Sequence, residues 1–130
     1  MELNEILAGN IDQEKGVWFD IVDPFNGEPI CIRFRVAGPD SETQRKARLA
    51  LSDELAELAD ENGKVSAENR EKARLNCLAR CVLGFEIQED GKPIPFNHAN
   101  VVRVLKAGTW LQEQVDSAAG DRSLFQGDAA

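Results

Sequence analysis

The chain reads as an α+β protein, an N-terminal antiparallel β-hairpin followed by a mainly helical body of about four helices. Three observations predict this. Apolar residues alternate with period two over residues 17–22 and 30–36, on either side of a turn sequence. Beyond residue 40 they recur instead at helical spacing, behind residues that cap helices. Apolar content is 42%, ordinary for a folded domain and too high for a disordered one. The 130 residues suit a single domain over 1–130, with 1–15 and 121–130 expected to be frayed ends.

The hairpin lies in GVWFDIVDPFNGEPICIRFRVAGP. Val17, Phe19 and Ile21 alternate with Trp18, Asp20 and Val22, and Ile30, Ile32, Phe34 and Val36 alternate with Cys31, Arg33 and Arg35. DPFNGEP between them supplies two prolines and an Asn-Gly pair, which turn the chain. A two-stranded ribbon is marginal alone, so its apolar face must cover the rest of the protein.

Ser41 and Gln44 form a capping box that opens a helix to about Glu61. Ala47, Leu51, Leu55 and Leu58 make its apolar stripe. Arg45, Lys46 and Arg48 near its start, and Asp60 and Glu61 near its end, oppose the helix dipole, so packing must hold it. ENGK breaks this helix. Ser66 then caps a second one to about Leu83, with Leu75, Leu78 and Val82 on its apolar face, continued by Phe85, and with Gly84 as its stop. The short loop makes the two an antiparallel hairpin.

FEIQEDGKPIPF reads as an extended run, an Asp-Gly turn and a second extended run that two prolines keep out of helix. Asn97 caps a third helix from His98 to about Ala107, and Thr109 a fourth from Trp110 to about Ala119. Leu111, Val115 and Ala118 share one side of the fourth, Gly120 ends it, and DRSLF leads into a polar tail.

Charge narrows the function. The net charge is −8, and residues 1–61 hold 14 acids against 6 bases while residues 62–130 hold 9 of each. That acidity repels phosphate backbones, and no basic cluster interleaves with aromatics, which disfavours nucleic acid as a direct partner. No apolar run approaches the roughly 18 to 20 residues that cross a bilayer. MELNEILAGNIDQEKG lacks the basic and continuous apolar regions of a secretory leader, so a soluble, cytosolic protein is expected.

Candidate chemistry is sparse. Cys31, Cys77 and Cys81 are an odd number and fit a reducing compartment. Cys77 and Cys81 share a helical face, and with His98 they supply three zinc-type ligands. A structural site needs about four ligands, usually including a tight C-x2-C pair, so core packing explains them better. His98 falls in the first turn of a helix with no nucleophile, acidic motif or Gly-rich loop around it; EDGKPIPFNHANVVRVLK is a joint between strand and helix. No P-loop, dinucleotide fingerprint, nucleophile elbow, HExxH or EF-hand loop occurs. No catalytic, cofactor-binding or metal-binding residue is expected, and the residues read as a small binding module.

One ordered series of motifs goes further. ARCVLGFEIQ is followed by EDGKPIPFNHANVVRVLK, then TWLQEQV and DRSLF. This order resembles the tail assembly chaperones of long, non-contractile-tailed bacteriophages and their prophage relatives. There a helix leads into an aromatic, a loop of the form dG.p.pf, a capped Nv..ll helix and a last helix near an aromatic. The N-terminal strand pair, the GPDS cap and the basic helix start also look like related phage proteins, so the resemblance spans about residues 16–125. Gly84-Phe85 departs from it, standing where a tryptophan is common.

The resemblance implies a non-catalytic protein of the host cytoplasm, absent from the mature virion. Its implied partners are the tape measure protein, kept soluble by it, and the tail tube protein that polymerises around that client. A homo-oligomer and a longer frameshifted form are compatible with it. The contact residues expected are those of the last helix and tail: Trp110, Leu111, Val115, Leu124 and Phe125. Trp110 and Leu111 suit a core equally well, whereas Leu124 and Phe125 lie beyond the helix signals. The competing readings are a structural virion part, such as a head–tail connector or tail-completion protein, and a small enzyme using His98 with a nearby acid.

Overall fold

The computed structural model describes residues 1–126. The chain runs through α1 (Leu3–Lys15), β1 (Val17–Val22), β2 (Pro29–Val36), α2 (Glu42–Leu58), α3 (Ala67–Arg80) and β3 (Val82–Glu86). It continues through the small strands β4 (Gln88–Glu89) and β5 (Lys92–Pro93), then α4 (His98–Lys106), α5 (Thr109–Gly120) and a 3-10 turn at Arg122–Phe125. The fold is α+β, with five α-helices and a three-stranded sheet among the described residues.

The sheet is antiparallel in the order β1-β2-β3, with Phe19 opposite Phe34 and Phe34 opposite Phe85. Its inner face carries Ile21, Phe34, Val36 and Phe85 into one core with Leu75 and Leu78 of α3, Val101 and Leu105 of α4, and Leu111 and Val115 of α5. Phe34 is the centre. It is fully buried, stacks on Phe19 at 6.4 Å between ring centroids, and meets Phe85 edge-on at 5.9 Å.

The outer face of the sheet is polar around one aromatic. Trp18 lies across Gly84, where a Cβ would sit 3.4 Å from the indole. The Arg33 guanidinium stacks 5.2 Å above the Trp18 ring, with Asp20 3.3 Å from its Nε. Gly84 thus fits the ring that covers it.

Glutamines tie the layers together. Gln114 of α5 pairs with the last residue of the edge strand β1: its Oε1 accepts from the Val22 N–H and its Nε2 donates to the Val22 carbonyl, both at 2.9 Å. At that residue the edge would otherwise offer an unpaired N–H and C=O. Gln44 donates to the carbonyls of Ala37 and Ala119, both at 2.7 Å, and buried Gln112 donates to the Leu105 carbonyl at 2.9 Å. The caps at Ser41, Ser66 and Asn97 form as their residue types predict.

Four expectations need correction. A helix, α1, precedes the hairpin where a frayed end at 1–15 was expected, because Leu3, Ile6, Leu7 and Ile11 have helical spacing and the last turn docks on the body. The second predicted helix ends at Arg80 instead of Leu83, and Val82–Glu86 becomes a third strand. Val82 and Phe85 are three apart, a helical spacing; in the strand both reach the core because the register with β2 shifts between Arg35 and Val36, so pairing with β2 overrides the spacing. Gly108, not Thr109, occupies the N-cap of α5. Finally, the expected frayed end at 121–130 is in part structured: Asp121 accepts from the Ser123 N–H at 2.9 Å, and the turn it starts carries Phe125 into the core. Residues 127–130 of that end lie outside the described residues.

The burial of Phe34 sets the stability expected of the platform. Replacing it with Ala (F34A) is expected to destabilise the fold by about 3–5 kcal/mol in urea unfolding. F25A, at the 97% exposed tip of the hairpin, is expected to change stability by less than about 0.5 kcal/mol.

Candidate functional site

The sequence of α1, LNEILAGNIDQEK, places Leu3, Ile6, Leu7 and Ile11 on one side of the helix and Glu5 and Asp12 on the other. Glu5 in the first turn and Lys15 in the last complement the dipole. Gly16 ends the helix at φ 78°, its N–H donating to the Asp12 carbonyl at 3.3 Å. No larger residue fits there, since a Cβ would lie 2.6 Å from the Val36 carbonyl oxygen.

Only the last turn of α1 is fastened. Gln13 is buried; its Nε2 donates to Asp40 Oδ2 at 3.0 Å and its Oε1 accepts from the Asp40 N–H at 2.5 Å. The Gln13 carbonyl accepts from the Gly38 N–H at 2.9 Å, and a Cβ on Gly38 would meet the Gln13 side chain at 2.6 Å. Glu14 accepts from the Thr43 N–H at 3.2 Å and from the Thr43 hydroxyl. These bonds to Thr43, the hydroxyl's foremost, hold the Glu14 carboxyl below its ordinary range. Asp40 in turn receives Arg122 through two guanidinium bonds, from Nε at 2.8 Å and from Nη2 at 3.0 Å. Arg122 first and Gln13 second lower the Asp40 pKa from 3.8 to about 2.

The rest of the helix stands free. Residues 1–9 are all exposed, and Leu3, Ile6, Leu7 and Ile11 are exposed by 69, 47, 52 and 58%. Four large aliphatic side chains in line on an unpacked helix are the feature of this surface that asks for a partner. Covering them is worth about 5 kcal/mol in all, at roughly half of the full-burial value for each side chain. Association itself costs at least about 4 kcal/mol, so contact through this stripe alone is weak and reversible.

The residues expected to meet a partner are divided by the fold. Leu111, Val115 and Phe125 are buried, and Trp110 is half-buried against the same core, where the four hold α5 and the terminal turn to the sheet. Leu124 is 41% exposed. It lines a cleft of about 380 Å³ together with Asp12 and Lys15 of α1, so this exposed residue of the tail lies beside the fastened end of the free helix.

His98 is exposed, with Nε2 3.2 Å from Asn76 Oδ1. Asn76 Nδ2 donates in turn to Glu54 at 3.4 Å, and Glu54 is ion-paired to Arg80. An amide therefore separates the imidazole from the nearest carboxylate in this chain of contacts, which serves to join α4, α3 and α2. Burial raises the Glu54 pKa, but the hydrogen bonds from Arg80 and Asn76 outweigh it and the net shift is downward. Among the cysteines, Cys31 is exposed, Cys77 is half-buried and Cys81 is buried. The Cys81 thiol brings Cys77 down to about 7, while Cys81 is pushed up by the same contact and by burial. No group of three or more His, Cys, Asp or Glu is arranged for a metal ion, and no helix is long and apolar enough to cross a membrane, among the described residues.

Compared with known family models, curated proteins and solved structures, the chain finds no match. Its function must be read from its own surface.

Sequence reasoning missed the stripe, although its signal was present. Leu3, Ile6, Leu7 and Ile11 have the i, i+3, i+4, i+8 pattern of one helical face. Gly9, Asn10 and the flanking acids masked it.

The Asp40 junction gives a pH dependence of known sign. Its folded pKa lies below its unfolded value, so the unfolded chain binds more protons between 3.8 and about 2. The contribution of Asp40 to stability is complete above that window and is lost as pH falls through it. An NMR titration of the Asp40 carboxyl is expected to give a midpoint near 2 in the native chain, moving up toward 3.8 in R122A.

Proposed function

We propose that the chain is a non-catalytic tail assembly chaperone of a long, non-contractile-tailed bacteriophage or prophage. It binds the tape measure protein, keeps it soluble while tail tube subunits polymerise around it, acts in the host cytoplasm and leaves before the virion is complete. The observation that carries this reading is the row of exposed aliphatic side chains on α1. An apolar helix face held to its body only at one end is suited to gripping another polypeptide and releasing it.

Three other features agree. The stripe is worth too little for permanent attachment, as a transient assembly factor requires. The acidic body keeps the protein dispersed while an apolar surface is on display. The ordered C-terminal motifs resemble those of the tail chaperones, and the Trp18 ring over Gly84 supplies an aromatic at the position where that resemblance departs.

Co-expression tests the proposal. The tape measure protein encoded beside this chain is expected to shift into the soluble fraction when the two are made together. A variant carrying Leu3→Ser, Ile6→Ser, Leu7→Ser and Ile11→Ser is expected to lose that effect while its body unfolds at the wild-type temperature. Mass spectrometry of purified particles is expected to find the chain missing. Its presence in stoichiometric amounts would instead make it a structural virion part.

A further inference from the structure

The fold brings Cys77 and Cys81 into contact, and the function proposed above uses neither. They lie one helical turn apart at the end of α3, with Cys81 as its C-cap. The Cys81 thiol donates to the Cys77 carbonyl at 3.3 Å and lies against the Cys77 thiol. Cys81 is 7% exposed and Cys77 half-buried, so Cys77 is the more open of the two. Both line a cleft of about 220 Å³ between α2, α3 and α5. That is the space of roughly seven waters at roughly 30 Å³ each, room for a molecule of a few heavy atoms.

The charges around the pair are mostly positive. Arg48 of α2 and Arg74 and Arg80 of α3 stand against Glu54 of α2 and Asp116 of α5. Glu54 is ion-paired to Arg80, yet Arg80 Nη1 is buried and has no acceptor among the described residues. The Cys77 thiol donates to the Ala47 carbonyl at 3.5 Å, a contact that exists only while the sulfur keeps its proton. Without the proton the sulfur is an acceptor, with the Cys81 S–H against it and the Arg80 guanidinium in the next turn. The Cys81 contact first, then Arg80 and Arg48, bring Cys77 down to about 7 against burial and Glu54. Reactive thiols sit in partly open, electropositive surroundings of this kind.

We propose that Cys77 is an oxidation site for small hydroperoxides, with Cys81 as its positioning residue. The proposal is independent of the chaperone reading. The Cys77 thiolate attacks the terminal oxygen of the hydroperoxide, which keeps its hydrogen. The S–O bond forms as the O–O bond breaks, and the sulfur gives two electrons to the departing oxygen. That oxygen leaves as hydroxide or alkoxide and takes a proton from water, and Cys77 is left as a sulfenic acid. A disulfide with Cys81 is not the product. One helical turn holds β-carbons roughly 5–6 Å apart, whereas a disulfide needs roughly 3.5–4.5 Å. Cys31 supplies the contrast: it is exposed, but the cleft it lines carries Glu86 and no basic residue. Exposure alone would make Cys31 the first thiol to react.

The test treats the full-length chain near neutral pH with hydrogen peroxide and dimedone, which caps sulfenic acids, and locates the tag by mass spectrometry. Trypsin cuts after Arg74 and Arg80, so Cys31, Cys77 and Cys81 fall on three separate peptides. At neutral pH a thiol titrating at about 7 is roughly fiftyfold more ionised than one at the ordinary 9.0. Its weaker nucleophilicity takes back roughly eightfold, which leaves a gain of roughly sixfold. The tag is expected on Cys77 at three or more times roughly the level on Cys31, with Cys81 untagged. Alkylation of Cys77 by iodoacetamide is expected to rise with pH through a midpoint near 7. C81A is expected to move that midpoint up toward 9.0, and C81S, which keeps a hydroxyl donor, to move it less. Thermal melts check that both variants fold. A smaller excess of Cys77 over Cys31 would overturn the proposal. So would a Cys77–Cys81 disulfide in place of the tag, or a midpoint that C81A leaves unmoved.

Discussion

Asp40 determines how the N-terminal helix stands on the rest of the molecule. Its carboxylate receives Gln13 from α1 and Arg122 from the terminal turn, while its backbone N–H donates back to Gln13. One residue beyond the strand pair thereby holds two distant parts of the chain in a single polar joint. The joint is partly exposed, so each bond in it is worth less than its geometry alone suggests. Its importance lies in position. It fastens α1 by its last turn and leaves the preceding turns, with their aliphatic row, clear of the body.

The body is built to stay closed while that row stays open. Phe34 sits between Phe19 and Phe85, and residues of α3, α4 and α5 complete one core around them. Gln114 satisfies the end of β1 at Val22, Trp18 lies across Gly84, and Gln44 and Gln112 satisfy carbonyls at the helix joints. Leu111, Val115 and Phe125 belong to this closed part, which moves the candidate contact surface from the last helix to the first. Leu124 and the end of α1 share a cleft, so the terminal turn and the last turn of α1 lie side by side.

Much of the fold was legible where local chemistry decides it. The alternation over residues 17–22 and 30–36, the serine caps and Asn97 gave the strands and the helix starts at nearly the observed positions, while α2 and α3 end at Leu58 and Arg80, short of the expected Glu61 and Leu83. The failures share a cause. At Val82–Glu86 the spacing of Val82 and Phe85 is helical, and only the bulged pairing with a strand far away in sequence buries both from an extended chain. The segment Leu3–Lys15 looked like a frayed end because its stabilising contacts, Asp40 and Thr43, lie 27 and 29 residues from their partners. For the same reason the apolar row escaped notice as a surface. A stripe within an expected frayed end carries no surface signal in the sequence, and only the packing around it shows that nothing in the described chain covers it.

The central claim is that residues 3–11 are uncovered in the free protein and become covered by a client polypeptide. Hydrogen exchange of the backbone amides, with and without the tape measure protein, tests it most directly. The account predicts fast exchange over residues 3–11 in the free chain, slow exchange around Phe34, and strong protection of residues 3–11 alone when the client is bound. Protection already present in the free chain, or a bound client that protects the outer face of the sheet and leaves α1 unchanged, would contradict it.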